Sequence, residues 1–193
     1  MRLICLLTLL FSLSVAADKW GQPSLSSAIS EDSTIIVRIT PGDGFLHSDT
    51  EIKHAVADVY LWNGATGYDF QRTVNLVNPA APLEVFVDNN GYIITLDNWF
   101  QTGYGQAVAI YDPLGQTVNT IEVSDLFPNK ADFNQLVRSV SSLHWRCRGK
   151  SAYIFGEYLY VPHILGGGIM FDYKKGSFEN YKPSSSEICY GDS

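Results

Sequence analysis

The sequence predicts an all-β chain: three antiparallel sheet repeats in a partial propeller-like arrangement, with a β-prism or sandwich as the alternative packing, and one short helix near 131–140. Three observations carry that prediction. Short apolar runs rich in Val, Ile, Thr and aromatic residues alternate with clusters of Gly, Pro, Asn and Asp, the mark of strands and tight turns. The same strand–turn–strand order recurs three times at a spacing of about 50–60 residues, with four strands to a unit, which is the size of a propeller blade. Aromatic residues make up 13% of the chain, a content that suits pleated, half-buried surfaces.

Taken in order, residues 1–17 read as a secretory signal. Arg2 gives a positive start, 3–15 is apolar or hydroxylic, and Val15-Ala16-Ala17 offers small residues for cleavage. The apolar run falls short of the roughly 20 residues a membrane span needs. Residues 18–27 are polar and Ser-rich, a flexible lead-in. A single β-repeat domain is expected over 28–190.

Within it, 33–40 is a β-branched run ending at Pro41-Gly-Asp-Gly44, and 45–54 reads as loop. A strand over 55–62 turns through Asn63-Gly-Ala-Thr-Gly67 into 70–76, and Asn78-Pro-Ala-Ala-Pro82 breaks the chain. Strands 83–87 and 92–96 flank Asp88-Asn-Asn-Gly91, whose Asn and Gly residues tolerate positive φ. Strands 107–111 and 116–123 flank Asp112-Pro-Leu-Gly115. In 124–143, Phe133, Leu136, Val137 and Val140 recur at helical spacing after Pro128, which places the helix. The last unit runs 143–147, a turn at Arg148-Gly-Lys150, then 152–161, 168–172 and 177–181.

The copies align by their turns. Ser30-Glu-Asp-Ser33, Asp88-Asn-Asn-Gly91 and Arg148-Gly-Lys-Ser151 open the first hairpins. Tyr60-Leu-Trp-Asn63, Ile110-Tyr-Asp-Pro113 and Met170-Phe-Asp-Tyr173 end the strand before the second turn. On these residues the stretch Pro82-Leu-Glu-Val-Phe-Val-Asp-Asn-Asn-Gly-Tyr-Ile-Ile-Thr-Leu resembles the blade-opening hairpin of repeat β-propellers of the NHL, YVTN and quinoprotein kind. Thr95-Leu-Asp-Asn-Trp-Phe-Gln-Thr-Gly-Tyr-Gly105 with Val108-Ala-Ile-Tyr-Asp112 is similar to secreted bacterial proteins of about this length that have no assigned activity. The first resemblance implies blades and the second implies export; neither brings catalytic residues. Three units depart from the 4–8 blades of a closed propeller. An open array, two chains joined three plus three as a homodimer, or a prism would each answer that shortfall.

Charge and cysteines narrow the partners. The net charge is −7, or −8 once Arg2 leaves with the signal, and no basic stripe exists. Nucleic acid and anionic membrane surfaces are therefore disfavoured, and no membrane span is expected after signal cleavage. There is no Asn-x-Ser/Thr sequon. Two cysteines remain in the exported chain, Cys147 and Cys189, which read as one disulfide. It would close a loop of about 40 residues, worth on the order of 3–4 kcal/mol. Two buried thiols that never meet are the alternative.

The candidate ligand-binding residues are Asp97, Asn98, Trp99 and Tyr104, in a loop after a strand, where sites are often carried. As a platform, Trp99 and Tyr104 would stack on a ring while Asp97 and Asn98 bond its edges. As plain structure, Asp97 and Asn98 would satisfy loop backbone groups and Trp99 would plug the core. Trp62, Trp145 and Tyr68 could extend the platform, though strands are aromatic-rich in any case. His47, His54, His144 and His163 lack metal-ligand spacing, so no metal and no cofactor is expected. Asp43, Asp49 and Glu51 form an acidic loop that matches no calcium pattern, and the glycine of Asp88-Asn-Asn-Gly91 comes too early for one. No Gly-x-Ser-x-Gly elbow occurs, and His144 stands where a phosphate loop ending at Gly149-Lys150-Ser151 would need glycine.

The function read from the sequence is an exported, non-catalytic binding or scaffolding module, periplasmic or extracellular, with a protein or glycan partner. A carbohydrate-binding protein using the aromatic loop is the first alternative. An enzyme with an unrecognised carboxylate or metal site is the second.

Overall fold

A computed structural model describes residues 21–44, 53–147 and 151–181. Three four-stranded antiparallel meanders follow one another along the chain. The first sheet holds β1 (Ser26–Ile29), β2 (Ile35–Thr40), β3 (Val56–Trp62) and β4 (Tyr68–Asn75). The middle sheet holds β5 (Pro82–Val87), β6 (Ile93–Asn98), β7 (Gln106–Tyr111) and β8 (Thr117–Glu122). Two single-turn helices follow, α1 (Val123–Leu126) and α2 (Lys130–Phe133), then a short ribbon of β9 (Val137–Arg138) and β10 (Leu143–His144). The third sheet holds β11 (Tyr153–Phe155), β12 (Tyr158–Pro162), β13 (Gly168–Asp172) and β14 (Ser177–Tyr181). The expected all-β, propeller-like repeat is what forms, with strand order following chain order in every unit.

The turns explain why the repeats align. Each second turn opens on a side chain that caps it. Asn63 Oδ1 accepts from the N–H groups of Ala65, Thr66 and Gly67. Asp112 Oδ1 accepts from Leu114 and Gln116, and Asp172 Oδ1 from Lys175. This is the local bonding that makes Asn and Asp turn residues. In the first hairpins, Asp32 and Asp88 do the same for Thr34 and for Asn90 and Tyr92.

Burial lies on both sides of the middle sheet. One core joins Ile35, Val37, Ile39, Ala57 and Val59 of the first sheet to Ile93, Ala109 and Tyr111. The other joins Ile94, Leu96, Val108 and Ile110 to Leu159, Val161, Ile169 and Phe171 of the third sheet, with Trp145 and Leu126 packed in. Alternate residues of β6 thus enter different cores, because successive strand side chains point to opposite faces. The two junctions are built alike. The middle sheet's second turn lies on β4, where a Cβ at Gly115 would stand 2.8 Å from Val74 Cγ2. The third sheet's second turn lies on β8, where a Cβ at Gly176 would stand 3.0 Å from Val118 Cγ1, and Asn119 Nδ2 donates to Gly176 O at 2.7 Å.

Three local expectations are corrected. The helix near 131–140 exists only as α2, which ends at Phe133. Leu136 is buried, but Val137 and Val140 are 62% and 105% exposed, so their helical spacing marks no buried face. The first hairpin of the third sheet does not turn at Arg148-Gly-Lys-Ser151, of which 148–150 lie outside the described residues. It turns at Gly156-Glu157, with Gly156 at φ 59°, and splits the apolar run 152–161 into β11 and β12. In the polar lead-in, β1 already begins at Ser26.

The signal segment, His47, Asp49, Glu51 and Cys189 lie outside the described residues. Cys147 is buried, with Sγ 3.5 Å from the carbonyl oxygen of His163. Among the described residues no helix is long and apolar enough to cross a membrane.

Candidate functional site

The loop leaving β6 is organised around a buried carboxylate. Asp97 sits at φ 57° and is 1% exposed. A non-glycine residue in the left-handed region costs roughly 1–2 kcal/mol, so its surroundings must hold it there. Oδ1 accepts from Trp145 Nε1 at 2.8 Å and from the Gly103 N–H at 3.0 Å. Oδ2 pairs with Arg146 Nε at 2.7 Å. The same guanidinium reaches Glu84 Oε1 through Nη1 at 2.5 Å. Burial pushes the Asp97 carboxyl up, against the pull of Arg146 and its two other donors. Desolvation lowers Arg146, but Asp97 and Glu84 outweigh it and keep the guanidinium charged.

Asn98 completes the hub. Its Nδ2 donates to the carbonyls of Tyr104 and Gln106 at 3.0 and 3.3 Å, and its Oδ1 accepts from Asn78 Nδ2 at 2.7 Å. Asp97 and Asn98 therefore spend their polar atoms on the protein. Gly103 passes so close to β10 that a Cβ there would lie 2.1 Å from Leu143 O.

Trp99 and Tyr104 point elsewhere. Trp99 is half-buried, and its indole N–H donates to Gly21 O at 2.8 Å. It lines a hollow of about 130 Å³ with Pro79, Ala80 and Gln101. Tyr104 donates its hydroxyl to Ser139 O at 3.0 Å and lines a separate hollow of about 210 Å³ with Phe133 and Arg138. Trp145 is fully buried and takes no part in an exposed aromatic surface. Trp62 and Tyr68 stack edge-on, 5.3 Å between centroids, far along the chain on β3 and β4.

A larger concavity lies where the three sheets' leading strands meet. Among the described residues β1, β5 and β11 each pair on one side only, so each presents a backbone edge that no other described strand takes. Between them is a cleft of about 630 Å³. Ile29, Val85, Phe86 and Ile154 give it apolar walls, and Glu31 and Asn89 stand among its polar lining. Asp88 and Tyr173 close one end. The Tyr173 hydroxyl donates to Gly156 O at 2.9 Å, with Asp88 Oδ2 at 3.3 Å. Burial and then the Asp88 charge raise the Tyr173 phenol well above its ordinary range, so it stays a protonated donor. Among the described residues, the lining holds Glu31 and Asp88 and no Lys, Arg or His. Sequence reading missed this cleft because its walls come from three strands far apart in the chain, Ile29 standing 56 positions before Val85 and Val85 standing 69 before Ile154; only the turns at Ser30-Glu-Asp-Ser33 and Asp88-Asn-Asn-Gly91 signalled parts of it.

Among the described residues, no group of three or more His, Cys, Asp or Glu is placed to hold a metal. His163 is buried edge-on to Phe127 and accepts the Leu165 N–H on Nδ1 at 3.2 Å. His54 Nδ1 lies 3.1 Å from Leu76 O. Asp43 is occupied by the Lys53 N–H. The chain matches no protein family, no curated protein and no solved structure.

Proposed function

We propose that this is an exported binding module whose ligand enters the cleft between β1, β5 and β11. The observation that carries the reading is the meeting of three strand edges, unpaired among the described residues, around apolar walls with Glu31 and Asp88 in the lining. Unpaired edges offer a row of N–H and C=O groups to an extended ligand, and wall pockets select its side groups. Two acidic groups and, among the described lining residues, no basic ones favour a neutral or cationic ligand over an anionic one. An extended peptide segment suits both features.

A glycan partner using Trp99 and Tyr104 is the competing reading, supported by their partial exposure and by the hollows they line. The Cys147–Cys189 bridge belongs to the same exported reading. The test is a fluorescence-polarisation screen with panels of labelled extended peptides and labelled oligosaccharides. Peptide binding that Ile154→Asp abolishes and Trp99→Ala leaves intact supports the cleft. Oligosaccharide binding that Trp99→Ala abolishes and Ile154→Asp leaves intact overturns it in favour of the aromatic loop.

A further inference from the structure

We propose that the outer face of the first sheet is a second binding surface, and that it takes an uncharged polysaccharide chain laid along β3 and β4. The inference is separate from the cleft and from the Trp99 loop, and it stands whether or not a peptide enters the cleft.

Register builds the surface. The cross-strand pairs Trp62–Tyr68 and Tyr60–Phe70 stand in successive rows of β3 and β4. They lie on the face opposite Val59, which enters the core with the middle sheet. Each pair meets edge to face, at 5.3 and 5.7 Å between ring centroids. The Tyr68 hydroxyl donates to Ser33 O at 2.6 Å, which fixes one corner of the block. Trp62 and Phe70 are nevertheless 40% and 56% exposed. Rings held by one another and by the sheet lose little freedom when a ligand covers them. Clustered exposed apolar groups, unlike single ones, mark an interaction surface.

The repeat shows that this block is not a requirement of the fold. The second turns of the three sheets open on Asn63, Asp112 and Asp172. Residues one and three before the cap face the preceding sheet in the middle and third units. With their partners on the last strand, these are Tyr111, Thr117, Ala109 and Thr120 in the middle sheet. In the third sheet they are Phe171, Phe178, Ile169 and Asn180. The first sheet carries aromatic rings at all four, where no described sheet precedes it. Packed sheets stand about 10 Å apart, and Tyr60 puts a large ring where the internal junctions hold Ala109 and Ile169. A second copy stacked sheet on sheet is therefore the poorer match for this face.

The row beyond Tyr60 supplies hydrogen bonds. Arg38, Asp58 and Thr73 lie side by side across β2, β3 and β4. Asp58 accepts from Arg38 at 2.6 Å and from Thr73 at 2.7 Å, and the guanidinium stands 5.8 Å from the Tyr60 ring centre. The Arg38 side chain is half exposed, which leaves donors of its fork for a ligand. Rings beside fixed polar groups match a sugar, which has an apolar C–H face and a hydroxylated edge. Arg38 and Asp58 cancel in charge, which favours an uncharged chain. The three rows, two residues apart, span about 14 Å along the strands, so an extended oligosaccharide touches rings and polar groups together. None of the three hollows described above is lined by these four rings, and the anchoring side chains of protein partners seat in such pockets.

The experiment titrates the chain, as its host processes it, with cellohexaose, chitohexaose, maltohexaose and xylohexaose, read by calorimetry and tryptophan fluorescence. Polygalacturonate is the anionic control. At least one neutral oligosaccharide is expected to bind, more tightly than polygalacturonate. Trp62→Ala and Tyr60→Ala should each weaken that binding by about 10-fold or more, and Arg38→Ala by about 5-fold. Trp99→Ala should leave it unchanged. Should Trp62→Ala lose its β-sheet circular dichroism, Phe70→Ala is read the same way. No binding to any of the neutral oligosaccharides, binding that survives both Trp62→Ala and Tyr60→Ala, or tighter binding of polygalacturonate overturns the proposal. So does a dimer in light scattering that Trp62→Ala breaks, which would give the face to a second copy.

Discussion

The middle sheet and the two outer sheets share one plan and differ in what covers them. All six residues of β6 and five of six in β7 are buried. In β2 of the first sheet burial alternates, while β12 and β13 of the third sheet are buried at four of five positions each and only its edge strand β14 has no buried residue. The difference follows from position: the middle sheet has a core on each side, and the first sheet has one, on the side of Val37 and Val59. A sheet covered on both faces reads as continuous apolar sequence, as Ile93-Ile-Thr-Leu96 does, and a sheet covered on one face reads as alternation. Stability should therefore concentrate in the middle sheet.

That contrast can be broken or sharpened by substitution. The largest effect is expected at the hub beside β6. Arg146→Met strands the buried Asp97 carboxylate and should cost about 3–5 kcal/mol in urea unfolding. Adding Asp97→Asn, which keeps a residue tolerant of positive φ, should recover part of that loss. Next, Ile110→Ala in the middle sheet should cost about 2–5 kcal/mol. Phe155→Ala on the outer face should stay within about 0.5 kcal/mol when measured on monomer. Equal losses at Ile110 and Phe155 would erase the contrast.

A smaller effect tests the third sheet alone. A Cβ at Gly168 would lie 2.2 Å from the Tyr160 ring. Gly168→Ala should therefore displace that ring from Tyr153 and Tyr181, its neighbours at 5.3 and 6.1 Å. The expected cost is about 1–3 kcal/mol, with a changed near-ultraviolet circular dichroism signal. Smallest is a pH effect on the first sheet. Bonds from Thr73 and then Arg38 hold the Asp58 carboxyl below its ordinary value. The unfolded chain binds that proton more readily, so the stabilisation is complete above a pH of about 4 and fades as pH falls through the lower folded value. For a pair this close to solvent it should not exceed about 1 kcal/mol, and Asp58→Asn should remove the acid dependence.

What was legible in the sequence was local. Asn63, Asp88 and Asp112 announce their turns because their side chains bond to backbone two to four residues on, and those turns fix the repeat. The β11–β12 turn was hidden because Gly156 is its one signal inside an apolar run. The helix near 131–140 was misread because Val137 and Val140 have the right spacing but no core beneath them. At the candidate loop, both roles considered for Asp97 could be written down, but nothing in the sequence pairs it with Arg146, 49 residues on. Trp99 and Tyr104 lie five positions apart yet line different hollows, which spacing cannot show.

Amide hydrogen exchange resolved strand by strand tests the two-core arrangement most directly. Its predicted pattern has the β6 and β7 amides exchanging only through global unfolding. The free edges of β1, β11 and β14 should open locally and faster. Exchange at β6 and β7 as fast as at β1 and β14 would contradict a middle sheet held between two cores.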